Sequence, residues 1–156
     1  MEYRNEYFDV VHSRDAILHI KEKSKLFANM FKCLKPGGKL LITDYCSKQS
    51  SSSNDPEFVE YVSRFNYHML TVQEYGNHLK DAGFVDVVAI DNSQHFLDIL
   101  KKELDILLDE NTETEIKRLA SEEEYTSWLN LWKGKIKRVE NGDHVWGLFT
   151  ACKPLT

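Results

Sequence analysis

One segment constrains the fold more than any other: a helix-breaking tetrapeptide, Lys35-Pro36-Gly37-Gly38, leads directly into the apolar run of residues 39–44. Proline and glycine end helices, and a run with few polar residues is typical of a strand that is buried on both faces. Residues 22–34, before the break, have apolar side chains at helical spacing, and they follow a short β-branched segment at residues 8–12. The order strand, helix, strand indicates a βαβ unit and a mostly parallel α/β sheet.

Beyond this unit the pattern becomes helical. Residues 56–69 predict one helix, and the capping box of Thr71 and Glu74 begins another that ends near Gly83. The serine-rich polar stretch of residues 48–55 predicts a loop, because short polar side chains compete with regular backbone pairing.

Two further strands are predicted near the end of the chain, at residues 84–90 and 144–151. A helical pattern separates them, so we expect a helical insert at about residues 93–138. Its segment 97–108 is rich in apolar residues and predicts a core-facing helix, with a partner interface as the alternative.

Composition narrows the classes of function. The chain of 156 residues fits one domain, and its net charge of −5 argues against nucleic acid as a partner. Its three cysteines lack CxxC spacing, which argues against a disulfide framework and a zinc site, so we expect no metal. No apolar run is long enough to span a membrane and no signal-peptide pattern occurs, which together predict a cytoplasmic protein.

Asp15 and His19 are the strongest pair of candidate functional residues. They are four residues apart in a segment predicted to begin a helix, which would place them on one face. A carboxylate beside an imidazole stabilises its cation, as a general base requires. The alternative interpretation is that Asp15 caps a helix and His19 points to solvent.

Two motifs resemble those of a known family. The segments Ser-Arg-Asp-Ala-Ile-Leu-His at residues 13–19 and Leu-Lys-Pro-Gly-Gly-Lys-Leu-Leu-Ile-Thr-Asp-Tyr-Cys at residues 34–46 are similar to S-adenosylmethionine-dependent phosphoethanolamine N-methyltransferases. The resemblance implies a partial Rossmann-like sheet made of the carboxyl-terminal strands. It also implies methyl transfer from S-adenosylmethionine to phosphoethanolamine, leading to phosphocholine in phospholipid metabolism.

The resemblance also implies roles for individual residues. Asp15 and His19 would form the catalytic pair, and Ser13, Arg14 and Asp15 would lie against the cofactor. The residues that would bind the substrate are Tyr45, Tyr61, Arg64, Tyr67 and Lys135. Phe65 departs from the family, which has arginine at that position, and Arg64 lies one residue earlier. From the residues alone, the tyrosines could equally be half-buried core aromatics and Lys135 a solvated helix lysine.

The Gly-rich turn of the family has no counterpart, because the seven glycines include no GxG. We therefore expect a single domain, residues 1–156, that lacks the amino-terminal cofactor-binding half. Two alternatives follow: an inactive truncated form that binds a full-length partner or self-associates, or a methyltransferase for another small amine. The expected partner is a small phosphobase, with no nucleic acid and no membrane span.

Overall fold

The computed structural model describes residues 4–48 and 55–156 of the chain. In chain order the elements of these residues are β1 (Phe8–Arg14), a 3-10 helix (Ile17–His19), α1 (Lys23–Cys33), β2 (Leu34–Ser47), α2 (Pro56–Arg64), α3 (Val72–Asp81), β3 (Val85–Asp91), α4 (Ser93–Leu107), α5 (Glu110–Leu119), α6 (Glu122–Glu140) and β4 (His144–Cys152). They form two compact units: the described residues up to Asn92 together with Val145–Thr156, and the helical segment Ser93–His144.

The four strands form one sheet in the order β1-β2-β4-β3. β1 is parallel to β2, and β3 is antiparallel to β4. β4 is also antiparallel to β2, because Lys153 bonds to Gly37 and Gly38 at one end while Gly147 lies against Cys46 at the other. The predicted α/β class is confirmed. Three of the four described strands share one direction, but β4 lies between β2 and β3 and is antiparallel to both, so the sheet is mixed rather than mostly parallel.

β2 is longer than the sequence predicts. Helix α1 ends at Cys33 as expected, but the Lys-Pro-Gly-Gly tetrapeptide lies within the strand rather than before it. The pairing shifts from Phe8 opposite Leu34 to Val10 opposite Lys39, so the extra residues form a bulge. Gly37 has φ +74° there, a conformation that favours glycine, and its N–H donates to the carbonyl of Lys153 at 3.0 Å.

Helix α2 is shorter than the predicted helix of residues 56–69. It ends at Arg64 because Asn66 adopts φ +51° and the N–H of His68 bonds to the carbonyl of Leu18 at 2.7 Å rather than continuing the helix. The predicted loop at residues 48–55 lies mostly outside the described residues. The capping box of Thr71 and Glu74 at the start of α3 is confirmed.

The first unit packs α1 and α3 against the sheet. Its core is apolar and aromatic, and the rings of Tyr75 and Phe149 stack with centroids 4.0 Å apart. The three cysteines, Cys33, Cys46 and Cys152, are free thiols.

The second unit contains α4, α5 and α6 and covers the segment predicted as a helical insert. Phe96 and Leu100 of α4 are buried, whereas Ile106 and Leu108 are exposed, so the predicted apolar segment turns only part of its surface inward. The hydroxyl of Tyr125 donates to the carbonyl of Leu107 at 2.9 Å. None of the helices in residues 4–48 and 55–156 is long and apolar enough to cross a membrane.

Candidate active site

The segment that holds Asp15 and His19 is not an α-helix. β1 continues to Arg14, which pairs with Thr43, and the N–H of Asp15 donates to the carbonyl of Thr43 at 2.8 Å. Asp15 then adopts φ +47°, and only a single 3-10 turn, Ile17–His19, follows. The prediction that this segment begins an α-helix is therefore wrong, because pairing with β2 extends the strand to Arg14 and the backbone turns left-handed at Asp15.

The carboxylate of Asp15 contacts an indole. The Nε1–H of Trp146 donates to Oδ1 at 2.8 Å, and the Nε of Arg14 lies 3.9 Å from Oδ2. In the part of the chain that the structure describes, no hydrogen bond joins Asp15 to His19. The pairing of these two residues stays a prediction, and what the structure adds is a buried indole that holds the carboxylate.

His19 lies instead against Tyr67, whose ring also contacts two further tyrosines from other segments. The ring of Tyr67 is at the centre: its centroid is 5.2 Å from that of His19, 5.6 Å from that of Tyr61 and 6.4 Å from that of Tyr45. Phe65 stacks on the outer side of Tyr67 at 5.5 Å. We call these five residues the aromatic cluster, and four of them are predicted site residues that the fold brings together.

The remaining predicted residues have more varied environments. Arg64 is exposed, and its Cζ lies 5.6 Å from the ring centroid of Phe65, at the edge of the aromatic cluster. Ser13 is half-buried and pairs with Ile42 in the sheet, while the Arg14 side chain is 78% exposed. Lys135 belongs to α6 in the second unit, where its Nζ lies 5.3 Å from the ring centroid of Trp132.

The sequence analysis did not assign a role to Asp44, which is completely buried at the carboxyl end of β2. Its Oδ1 accepts the N–H of Leu18 at 3.2 Å, and its Oδ2 accepts the hydroxyl of Tyr75 at 3.4 Å. Burial raises the pKa of Asp44 to about 7, against the opposing effects of the Leu18 N–H and the Lys23 cation. An acidic residue at the end of the apolar run of β2 was the signal that could have pointed to it.

Lys23 was missed for another reason. It is the first residue of α1, yet only 4% of it is exposed, and its Nζ donates to the carbonyls of Ile20, at 2.7 Å, and His68. Burial lowers its pKa. No pattern in the sequence distinguishes this lysine from its exposed neighbours Lys21 and Lys25. Among the described residues, no group of three His, Cys, Asp or Glu could hold a metal ion.

Comparison with known proteins decides the family. The model of the family described as "Methyltransferase domain" matches residues 1–90, more than half of the chain. The chain belongs to this methyltransferase-domain family. Similarity to individual relatives extends over nearly all of the chain.

Two curated relatives are phosphoethanolamine N-methyltransferases of different organisms. Phosphoethanolamine N-methyltransferase 3 of Arabidopsis thaliana is 44% identical over 150 residues, which cover 96% of this chain and 30% of the relative. Phosphoethanolamine N-methyltransferase of Plasmodium falciparum is 41% identical over 154 residues, 97% of this chain and 57% of the relative. The resemblance predicted from the two motifs is confirmed, and the chain spans between 30% and 57% of the length of these two relatives.

A solved structure matches the methyltransferase domain in three dimensions. Haemonchus contortus phosphoethanolamine N-methyltransferase 2, in complex with phosphomonomethylethanolamine and S-adenosylhomocysteine, superimposes with a TM-score of 0.91 at 33% identity. The match covers 98% of this chain and 35% of the Haemonchus chain. The predicted α/β methyltransferase fold, with a helical insert before the last strand, is confirmed.

Proposed function

We propose that this methyltransferase domain transfers methyl groups from S-adenosylmethionine to phosphoethanolamine, with phosphocholine as the final product. The names of the relatives support the substrate class. The observation that carries the proposal is the convergence of His19 with Tyr45, Tyr61 and Tyr67, because a base and a set of aromatic hydroxyls are what a phosphobase requires.

The proton of the substrate amine explains the role of His19. An aliphatic amine is almost entirely protonated at pH 7, so its nitrogen has no lone pair for attack. Imidazole titrates near neutral pH and can accept this proton. In the proposal Asp15, whose orientation Trp146 maintains, favours the imidazolium by its negative charge.

The aromatic cluster would bind the two ends of the substrate. Tyrosine hydroxyls donate hydrogen bonds to phosphate oxygens, and tyrosine faces attract a methylated ammonium by about 0.5–2 kcal/mol each. Arg64, at the edge of the cluster, has a positive charge that can pair with a phosphate. Lys135 is proposed as a further phosphate contact on the family resemblance.

In the proposal, the end of β1 holds one side of the cofactor. Strand ends of α/β sheets bind ligands, and the left-handed turn at Asp15 leaves Arg14 exposed and Ser13 half-buried there. We propose that Ser13, Arg14 and Asp15 hold this side through backbone and side-chain polar groups. When bound, S-adenosylmethionine supplies a methyl group on a positively charged sulfur. The seven glycines include no GxG, so this sequence does not identify residues for the other side.

The test uses two proteins. One is the chain itself. The other, which we call the exchange protein, is the Plasmodium falciparum relative with its matching segment replaced by this chain. We expect the exchange protein to methylate phosphoethanolamine, and His19→Ala to lower its kcat by about 10²- to 10⁴-fold, the usual contribution of a general base. His95→Ala, on α4, is the control and should leave kcat unchanged.

Three results would separate the alternatives. An active exchange protein together with an inactive chain would favour a form that works only with a partner segment. Turnover of glycine or sarcosine in place of phosphoethanolamine would favour a methyltransferase for another small amine. Full activity of the His19→Ala variant would contradict the proposal.

A further inference from the structure

Two buried charged side chains in the first unit surround the segment that contains His19. Lys23 and Asp44 are 4% and 0% exposed. Burial of a charged group is unfavourable unless hydrogen bonds compensate it, so such groups are seldom found in a core without a specific arrangement of partners. The bonding partners of these two residues show which part of the fold they hold.

Three main-chain partners of these side chains flank two residues of the aromatic cluster, while the Tyr75 hydroxyl donates to Asp44 from α3. Asp44 accepts the N–H of Leu18 at 3.2 Å, directly before His19. Lys23 donates to the carbonyl of Ile20 at 2.7 Å, directly after His19, and also to the carbonyl of His68.

One backbone hydrogen bond connects the two flanked segments. The N–H of His68, directly after Tyr67, donates to the carbonyl of Leu18 at 2.7 Å. The main chain on both sides of His19 is thereby connected to the main chain beside Tyr67. The rings of His19 and Tyr67 meet edge to face between these connections, with centroids 5.2 Å apart.

We propose that Lys23 and Asp44 are positioning residues that hold the His19 imidazole against Tyr67. Both act through the backbone of residues 18, 20 and 68, to which their side chains are hydrogen-bonded. The inference rests on the proposed function for the roles of His19 as the base and of the tyrosines as substrate-binding residues. The contacts themselves are independent of that function.

Other titratable groups of the described residues act on this pair. Lys23 and Asp44 interact electrostatically with each other, and the hydroxyl of Tyr75 in α3 donates to Asp44. The charge of Asp15 raises the pKa of Asp44, and Cys46 interacts with Lys23 and Asp44. A hydrophobic isostere at position 23 would be compatible with the apolar core but would release both carbonyls. That substitution therefore separates positioning from packing.

The first experiment measures the ring contact directly in the full chain, without cofactor or substrate. Proton NMR of the unmodified chain should show nuclear Overhauser effects between His19 and Tyr67. Lys23→Met should reduce them at least fivefold while those between Tyr75 and Phe149 remain. Lys25→Met, an exposed lysine in the same helical turn, is the matched control. An unchanged His19–Tyr67 contact in a folded Lys23→Met chain would overturn the proposal.

A second measurement does not depend on whether Lys23→Met folds. In the unmodified chain the amides of Leu18 and His68 should exchange with deuterium at least about 100-fold more slowly than that of exposed Lys21. Exchange of both at the rate of Lys21 would overturn the proposal.

Kinetics then distinguish positioning from general stability. In the exchange protein, Lys23→Met should lower kcat about tenfold or more, shift the pH-rate profile and change the KM for phosphoethanolamine less than threefold. Equal loss of kcat and stability with an unchanged pH-rate profile would indicate a structural role and contradict the inference. Because the ring contact is measured without substrate, its loss or retention is independent of whether the methyl transfer proposal holds.

Discussion

The indole Nε1–H of Trp146 donates a 2.8 Å hydrogen bond to the carboxylate of Asp15, a residue 131 positions earlier in the chain. Trp146 is 8% exposed and lies in β4, whereas Asp15 lies just beyond the end of β1, two strands away in the sheet. The bond fixes the orientation of the one carboxylate at the candidate active site that both the motif and the geometry single out. Removal of this hydrogen bond should therefore lower the stability of the chain.

Trp146→Phe removes the N–H donor and leaves a smaller aromatic ring. Since a hydrogen bond to a charged group contributes about 1.5–3 kcal/mol and the smaller ring also leaves a cavity, we expect the free energy of unfolding of the chain to fall by at least that amount in urea titrations. Trp132→Phe is the control, because its bond to Glu103, although 2.9 Å long, is exposed to solvent. Equal losses for the two variants would show that the buried hydrogen bond contributes no more to the free energy of unfolding than the exposed one.

Lys135→Ala tests the phosphate contact. A contact that is equally strong in the ground and transition states changes KM and leaves kcat alone. The loss of one charge-assisted hydrogen bond should raise the KM of the exchange protein for phosphoethanolamine by about 10- to 150-fold. Lys133→Ala, an exposed lysine two residues earlier on α6, is the control. A normal KM would leave Lys135 as a surface lysine beside Trp132.

Asp44→Asn tests the pH dependence of stability. Burial raises the pKa of Asp44 to about 7, so between pH 4 and 7 the folded state holds a proton that the unfolded state has lost. The contribution of Asp44 to the free energy of unfolding is therefore largest below pH 4 and falls as the pH rises through 7. We expect the difference between the unmodified chain and Asp44→Asn to decrease by up to about 4 kcal/mol between pH 4 and 8, because one pKa unit corresponds to about 1.4 kcal/mol.

Denaturant titrations at each pH measure this difference, and the titration of the histidines cancels in it. A difference that rises with pH would mean that the Asp44 carboxylate is stabilised in its charged form, contrary to the effect of its burial.

Gly147→Ala tests the close packing of β4 on the sheet. A Cβ at this position would lie 2.4 Å from Cζ of Phe149 and 2.9 Å from Sγ of Cys46. Overpacking of this kind costs about 1–3 kcal/mol in the free energy of unfolding. Replacing Phe149 with leucine in the same chain should recover part of the loss.

Gly134→Ala, in α6, is the matched control for this substitution. Its Cβ would meet only the side chain of Arg138, at 3.0 Å, and alanine is the better helix former. We expect a change in stability of less than about 1 kcal/mol. A loss of stability as large as that of Gly147→Ala would show that crowding in β4 does not cause the destabilisation by Gly147→Ala.

The predictions that succeeded from the sequence are those that depend on neighbours along the chain. The apolar run after Lys-Pro-Gly-Gly identified β2, and the Thr71 and Glu74 spacing identified the start of α3, because a capping box needs only residues three apart. The two motifs identified the family on similarity alone.

The errors lie where distant segments meet. Asp15 and His19 have the spacing of a helix, yet the strand extends to Arg14 because β2 supplies its hydrogen-bond partners. Residues 65–69 have a helical pattern, yet His68 bonds to Leu18. In both places a long-range backbone hydrogen bond competes with a local one, and a pattern of side chains cannot show which is formed.

The sequence by itself determined the α/β class, the approximate boundaries of α1, α3, β3 and β4, and the chemical types of the candidate site residues. Only the tertiary structure decided that Trp146 holds Asp15, that Tyr67 joins His19 to the other tyrosines, and that Lys23 and Asp44 lie buried beneath them. Local structure follows from interactions within a few residues, which spacing reveals. The site depends on contacts between segments far apart in the chain, which exist only after the sheet has brought the ends of β1 and β2 together.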